Sequence, residues 1–212
     1  LETIIVCGKS KDKTLDEAKR LIQIYGDLNI KVLEQTKNGK ANAVFEAIKF
    51  SQNDLIAILD ADISVDPETL EDFFGLIEQG KADFVNGTRF VYRKEKHSMR
   101  FFNILGNKVF QYLVSFVISR DLTDSLCGTK VFHKSMICKI DEWQTKNKRL
   151  DPFGDFDLLF SAAYSGLSIV EFPVYYRSRV YGKTQISRFK DGFKLFYYFL
   201  ISLKSFNTSL ND

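Results

Sequence analysis

Hydrophobic positions recur along the first half of the chain in two alternating periods. Leu1 to Cys7 is an apolar, β-branched run closed by Gly8, which predicts a strand. Leu15 to Tyr25 carries Leu15, Ala18, Leu21, Ile22 and Tyr25 at helical spacing until Gly26 ends it. Asn29 to Leu33 reads as a second strand and Ala41 to Ser51 as a helix. Asp54 to Leu59 reads as a strand without alternation, the pattern of a strand covered on both faces. Pro67 stands at a helix start behind Asp66 as N-cap, with Leu70, Phe73, Phe74 and Ile77 forming the inner face. Ala82 to Gly87 then returns as a strand. Strands alternating with such helices predict a mostly parallel sheet with its ligand site beyond the carboxyl ends of the strands.

The second half is less regular. His97 to Ser119 is a long helical stretch, Asp121 to Thr129 a polar loop, and Lys130 to Phe132 a short strand at best. Asp155 to Ser165 reads as a helix, Leu167 to Phe172 as a strand ended by Pro173, and Ile186 to Phe206 as a strongly apolar final helix. There is no internal repeat and no low-complexity linker.

Composition narrows the function classes. The chain has 212 residues, 45% of them hydrophobic, and a formal net charge of +3 from 30 Lys+Arg against 27 Asp+Glu. This suits one folded core and supplies no basic field for nucleic acid. Three cysteines and two histidines are too few for a disulfide framework or a Cys/His zinc site, and point to reduced thiols and a cytoplasmic setting. The uncharged stretches Val109 to Ser119 and Leu195 to Leu203 are shorter than the roughly 20 residues a spanning helix needs.

Three clusters can carry chemistry. Asp60 and Asp62, in Leu59-Asp60-Ala61-Asp62, close a buried strand; in an extended segment they point the same way and suit a divalent cation, whereas a solvated capping turn explains them equally well. Asp155 and Asp157 stand at a helix start, either as a desolvated general base with its neighbour or as acids favoured by the helix dipole. Arg177, Arg179 and Lys183 lie in a Gly-containing loop after the last strand and form either a diphosphate clamp or an ordinary basic surface loop.

The ordered set of motifs resembles the inverting family 2 glycosyltransferases of GT-A fold, especially the branch of dolichol- and polyprenol-phosphate sugar synthases. Gly8-Lys9-Ser10-Lys11-Asp12-Lys13-Thr14 is similar to the family's G-x-S-x-D-x-T loop, Lys37 to Ala43 to its K-x-G-K-x-x-A segment, and Asp60-Ala61-Asp62 to its D-A-D. Asn86-Gly87-Thr88-Arg89 resembles its G-S-R strand end, and Gly128-Thr129-Lys130 its acceptor-side segment. Gly154 to Leu158 resembles E-D-x-D-L, and Arg179 to Thr184 the R-x-x-G-x-S/T loop.

The resemblance implies an α/β GT-A domain over residues 1–185, mostly parallel with helices on both faces. In the C-terminal segment 186–212, Ile186, Phe189, Phe193, Phe196, Tyr197, Leu200 and Leu203 to Phe206 nearly encircle a helix that carries Lys190, Lys194 and Lys204, so it either packs on the domain or lies at a membrane interface. It implies a UDP- or GDP-sugar donor bound by Gly8, Ser10, Asp12, Lys40, Asp60, Arg89, Arg179 and Lys183. Mg²⁺ or Mn²⁺ is expected at Asp60 and Asp62, and a polyprenyl-phosphate or glycan acceptor beside Gly128, Thr129 and Lys130, as in cell-envelope glycan synthesis. Asp155 is the expected base, with Asp157 orienting nearby groups. Against a phosphate acceptor no base is needed, and Asp155 positions instead. Two departures stand out: Cys7 occupies a usually acidic position, and the family's first strand with its P-x-x-N-E loop belongs before Leu1. The chain is therefore expected to be a truncated domain, weakly active at best. The rival readings are a nucleotide-sugar-binding scaffold without catalysis and a nucleotidyltransferase.

Overall fold

The structure, a computed structural model, describes residues 1–9, 12–92, 101–148, 151–178 and 188–209. The first elements are β1 (Thr3–Cys7), α1 (Thr14–Ile24), β2 (Ile30–Glu34), α2 (Lys40–Phe50) and β3 (Leu55–Ile58). A short 3₁₀ turn (Pro67–Thr69) runs into α3 (Leu70–Glu78), followed by β4 (Phe84–Thr88) and α4 (Phe101–Ile118). The chain continues with β5 (Lys130–His133), α5 (Met136–Asn147), α6 (Asp155–Tyr164), β6 (Ile169–Pro173) and α7 (Arg188–Ser209). Each element expected from periodicity is present within a few residues of its expected bounds. The His97 end of the long helix lies outside the described residues.

The main sheet has the order β3-β5-β4-β6, with β3, β4 and β6 pointing one way and β5 the other. The segment read as a short strand at best is thus an inner strand. Its alternation explains why: Val131 pairs with Val85 and Ala57, while Phe132 pairs with Phe84 and Ile56. Successive side chains go to opposite faces, so Phe84 and Phe132 stack at 5.5 Å in one core while Val85 and Val131 enter the other. The first core is closed by α2, α4, α5, α6 and α7, the second by α3. Ala57 on β3 stays exposed, so the two-sided cover expected for that strand is incomplete.

β1 and β2 pair in parallel as a separate two-stranded sheet. Among the described residues no backbone ladder joins it to β3. Glu2 makes a link instead, its carboxylate accepting hydrogen bonds from Gln52 N at 2.9 Å and Asn53 Nδ2 at 3.2 Å.

One helix, α5, shows only a weak apolar period in the sequence. Met136, Ile140, Trp143 and Asn147 form its buried stripe, but Lys139, Asp141, Glu142 and Lys146 between them dilute the apolar signal. The final helix is apolar on both its buried and its exposed face. Leu195, Tyr198 and Phe199 enter the main core, while Phe193 and Tyr197 stay exposed. No helix among the described residues is long and apolar enough to cross a membrane.

Candidate active site

The β5 insertion builds the site. Ile58, the last residue of β3, is in register with Lys130, the first of β5. The chain leaving β3 at Asp60 therefore runs beside Gly128 as the chain enters β5. A Cβ on Gly128 would stand 2.8 Å from Asp60 Cγ, so only glycine lets the carboxylate lie there.

Asp60 and Asp62 do not converge through an extended strand. They lie in a turn closed by the hydrogen bond from Ile63 N to Asp60 O at 3.0 Å, with Ile63 at φ 49°. A left-handed β-branched residue is strained, the kind of backbone cost found at functional turns. Asp62 also caps that turn, accepting from Ser64 N at 3.1 Å and Ser64 Oγ at 2.7 Å. Both carboxylates nevertheless line one cleft, together with Arg89, Gly128, Thr129 and Tyr176. Among the described residues no group of three or more His, Cys, Asp or Glu forms a ready metal cage. Two hard carboxylates lining one small cleft are a donor set that suits a divalent cation.

Lys40 sits at the start of α2 and reaches both acidic clusters. Its Nζ lies 2.8 Å from Asp60 Oδ1 and 4.0 Å from Asp155 Oδ2. Gly154, at φ 85°, brings the α6 entry against α2, with a Cβ there only 3.3 Å from Ala41 Cα. Lys130 is wholly buried and donates to Asp155 Oδ1 at 2.8 Å and to the Cys127 carbonyl. Burial alone would raise the Asp155 carboxyl, but Lys130 and Lys40 outweigh it and hold the group below the ordinary carboxylate range. Lys40 is held above its usual value because the pull of Asp155 and Asp60 exceeds the cost of desolvation.

Asp155 and Asp157 part company on α6, since residues two apart on a helix differ by about 200°. Asp157 faces inward, fully buried, accepting from Gln144 Nε2 at 2.7 Å and from the Tyr198 hydroxyl. Trp143 Nε1 donates to that hydroxyl at 2.7 Å, so the network ties α5, α6 and α7 together. Burial and the neighbouring Asp157 carboxylate both push the Tyr198 hydroxyl up, keeping it a donor. The α6 N-terminus is capped by Asp151, which accepts from Phe153 N, Phe156 N and Asp157 N at 2.9, 2.7 and 3.2 Å. Burial, with Asp157 and Asp155 nearby, raises its carboxyl above the usual range.

Arg89 reaches the cleft, but its fork is taken by Asp124. Nε lies 2.6 Å from Oδ2 and Nη2 lies 2.8 Å from Oδ1, with the Tyr176 ring 5.2 Å from the guanidinium. Asp124 is fully buried and also accepts from Asn107 Nδ2 at 3.0 Å. Sequence reasoning passed over Asp124, Asp151 and Tyr198. Asp151 left a signal in its capping distance from α6, whereas the other two show their roles only through partners 35 and 41 residues away.

Gly8 and Asp12 lie apart from this cleft, at the carboxyl end of β1 and the start of α1. Asp12 accepts from Thr14 N at 3.0 Å and Thr14 Oγ1 at 2.5 Å, opening α1. Ser10, Arg179 and Lys183 lie outside the described residues. Arg177 pairs with Asp66 at 2.5 Å on the rim.

The family profile described as Glycosyl transferase family 2 matches residues 1–140. A dolichyl-phosphate hexose transferase of Haloferax volcanii is 30% identical over 191 residues, 90% of this chain and 76% of the relative. A dolichol-phosphate mannosyltransferase of Pyrococcus furiosus is 25% identical, over 87% of this chain and 50% of the relative. A human dolichyl-phosphate β-glucosyltransferase is 27% identical, over 82% of this chain and 55% of the relative. The chain thus spans about half the length of the last two.

Among solved structures, glucosyl-3-phosphoglycerate synthase from Mycobacterium tuberculosis, in complex with Mn²⁺, UDP and glucosyl-3-phosphoglycerate, superposes with a TM-score of 0.68. It is 14% identical over 96% of this chain and 69% of that one. Mannosyl-3-phosphoglycerate synthase from Rubrobacter xylanophilus gives 0.63 at 16% identity, over 97% of this chain and 64% of that one. Both likenesses concern the fold, which is that of GT-A glycosyltransferases. With its sequence match and its fold in agreement, the chain belongs to glycosyl transferase family 2.

Proposed function

We propose that this domain transfers a hexose, with inversion, from a UDP- or GDP-sugar to a polyprenyl phosphate. The observation that carries the choice of acceptor is the Lys130–Asp155 pair. A hydroxyl acceptor calls for a base poised near neutral pH, and Asp155 is held well below that by Lys130 and Lys40. A phosphate acceptor is already a nucleophilic anion. The names of the three relatives point to the same acceptor class.

In this reading Asp60 and Asp62 hold a divalent ion, which when bound offsets charge developing on the leaving diphosphate. The Mn²⁺ and UDP in the M. tuberculosis synthase support that part by analogy of fold. Lys40, paired with Asp60, stands where it can move to the donor phosphates when the carboxylate turns to the ion. Asp155 fixes Lys130 and Lys40 as a cationic pair beside the acceptor-side residues Gly128 and Thr129. Arg89, anchored on Asp124, forms a rigid wall of the cleft. Asp157 has a packing role, orienting α6 through Tyr198 and Gln144. Arg179 and Lys183 are proposed to close over the donor diphosphate, and Gly8, Ser10 and Asp12 to border the nucleotide.

The test is transfer from radiolabelled UDP- and GDP-hexoses to polyprenyl phosphate with Mn²⁺. Lipid-linked hexose should form and should be abolished by EDTA. Compared at equal folded fraction, checked by denaturation, Asp155→Asn should cost less than the roughly 10²–10⁴ that losing a general base costs. Loss of that size, or transfer only to hydroxyl acceptors, overturns the reading.

A further inference from the structure

Three neighbouring strands contribute one polar row. Asn86 of β4 is in register with Lys130 of β5 on one side and with Glu171 of β6 on the other, so the three side chains project from one face. Phe84 and Phe132, two residues along, belong to the main core on that face. The row therefore caps that core, and all three side chains hold the loop from Thr123 to Cys127. Glu171 accepts from Thr123 N at 2.6 Å, Thr123 Oγ1 at 2.8 Å and Asp124 N at 2.9 Å. Asn86 Nδ2 donates to Asp124 O at 2.7 Å, and Lys130 donates to the Cys127 carbonyl.

That loop also holds Arg89. The Asp124 carboxylate takes Nε and Nη2 of Arg89 and leaves Nη1 as the guanidinium nitrogen available to a ligand in the cleft that Arg89 lines. Thr88, just before Arg89, is tied to the same anchor. The Thr123 hydroxyl donates to Glu171, so the Thr88 hydroxyl, 2.5 Å away, is the donor between the two threonines. Packing alone does not explain Glu171. Burial pushes its carboxyl up, more than the donors on Thr123 and Asp124 pull it down. A carboxylate kept against that penalty serves the geometry its hydrogen bonds impose.

We propose that Glu171 is a positioning residue: by holding Thr123 and Asp124 it sets the Arg89 guanidinium in the cleft for a substrate phosphate. Glu171 stands outside the cleft lining and acts through Asp124, 47 residues away in the chain. That the ligand is a phosphate of the sugar donor or of the acceptor rests on the transferase reading above. The hold on the loop and on Arg89 does not.

The variant is Glu171→Gln, which keeps the shape but cannot accept from both amides, because one arm of its own amide carries hydrogens. Amide hydrogen exchange reads the hold: Thr123, Asp124 and Leu126 should exchange about tenfold faster or more, with the amides of β4 and β5 protected as in wild type. Calorimetry reads Arg89, with UDP or GDP plus Mn²⁺ as one probe and farnesyl phosphate as the other. One of the two should bind about tenfold more weakly, and which one assigns the phosphate to donor or acceptor. In transfer assays the same loss should fall on the KM of that substrate, with kcat within about threefold of wild type. If Glu171→Gln melts early, Thr123→Val, at an exposed position, should give severalfold changes in the same direction. Exchange that rises throughout the sheet, or affinities and KM values that the variants leave unchanged, overturns the proposal. So does a wild-type protein that binds neither probe. Because exchange and calorimetry need no turnover, a protein that passes both yet transfers no hexose defeats the transferase reading alone.

Discussion

Lys130 Nζ lies 2.8 Å from Asp155 Oδ1, with the two side chains 0% and 7% exposed. The pair joins the first residue of an inner strand to the first residue of a helix, so charge and fold depend on one contact. Neither partner can be removed alone without leaving a charge in a site that water barely reaches.

Lys130→Met should therefore destabilise the domain by about 3 kcal/mol, within the range for breaking a buried pair from one side. Adding Asp155→Asn should recover a large part of that loss, because the orphaned charge goes with it. Urea denaturation of the two single variants and the double variant measures the coupling.

The same pair sets the pH response. The folded-state pKa of Asp155 lies below its unfolded value of about 3.9, so its stabilisation is present above that value and is lost as pH falls through the folded one. From pH 5 to 8 Asp155 stays ionised and contributes no acid limb to kcat/KM. The acid limb against a polyprenyl phosphate should instead follow the second ionisation of a phosphate monoester, near an apparent pKa of about 6. It should persist in Asp155→Asn.

Gly128→Ala brings a methyl group to 2.8 Å from Asp60 Cγ. The carboxylate must turn away, so the variant should bind Mn²⁺–UDP at least about tenfold more weakly by calorimetry, a loss of about 1.4 kcal/mol. Stability should change by less, because Asp60 is half exposed and able to move. An unchanged affinity would place the metal and the donor elsewhere.

Tyr198→Phe removes one donor from the buried Asp157 carboxylate and leaves Gln144 in place. The expected cost is about 1–3 kcal/mol in stability, with kcat within about threefold of wild type, a change of under 1 kcal/mol in barrier. Denaturation and steady-state rates on the same preparation separate this packing role from a catalytic one.

Much of the fold was legible because amphipathic periods are local. Leu15, Ala18 and Leu21 announce α1, and the β-branched run before Gly8 announces β1, without reference to anything distant. β5 and α5 carry weak local signals because their support is tertiary. Lys130 to His133 is short and carries two basic residues, and it becomes a strand only through ladders to β3 and β4 on both sides. In the site, Asp60, Asp62, Lys40, Gly128 and Asp155 were all singled out, and the structure gathers them around the β3–β5 junction. Asp157 shares a motif with Asp155 but turns to the other side of α6, which helix geometry dictates once the helix start is fixed.

By itself the sequence determined the α/β alternation, the acidic turn after β3 and the family, because local periodicity and ordered motifs survive without coordinates. Only the tertiary structure decided which charges meet. Lys40 reaches both Asp60 and Asp155, Arg89 is claimed by Asp124, and Asp157 is claimed by Tyr198. These pairings span tens of residues, and those at Asp155, Asp124 and Asp157 are fixed by burial, which makes an unpaired charge costly and so selects one partner among many.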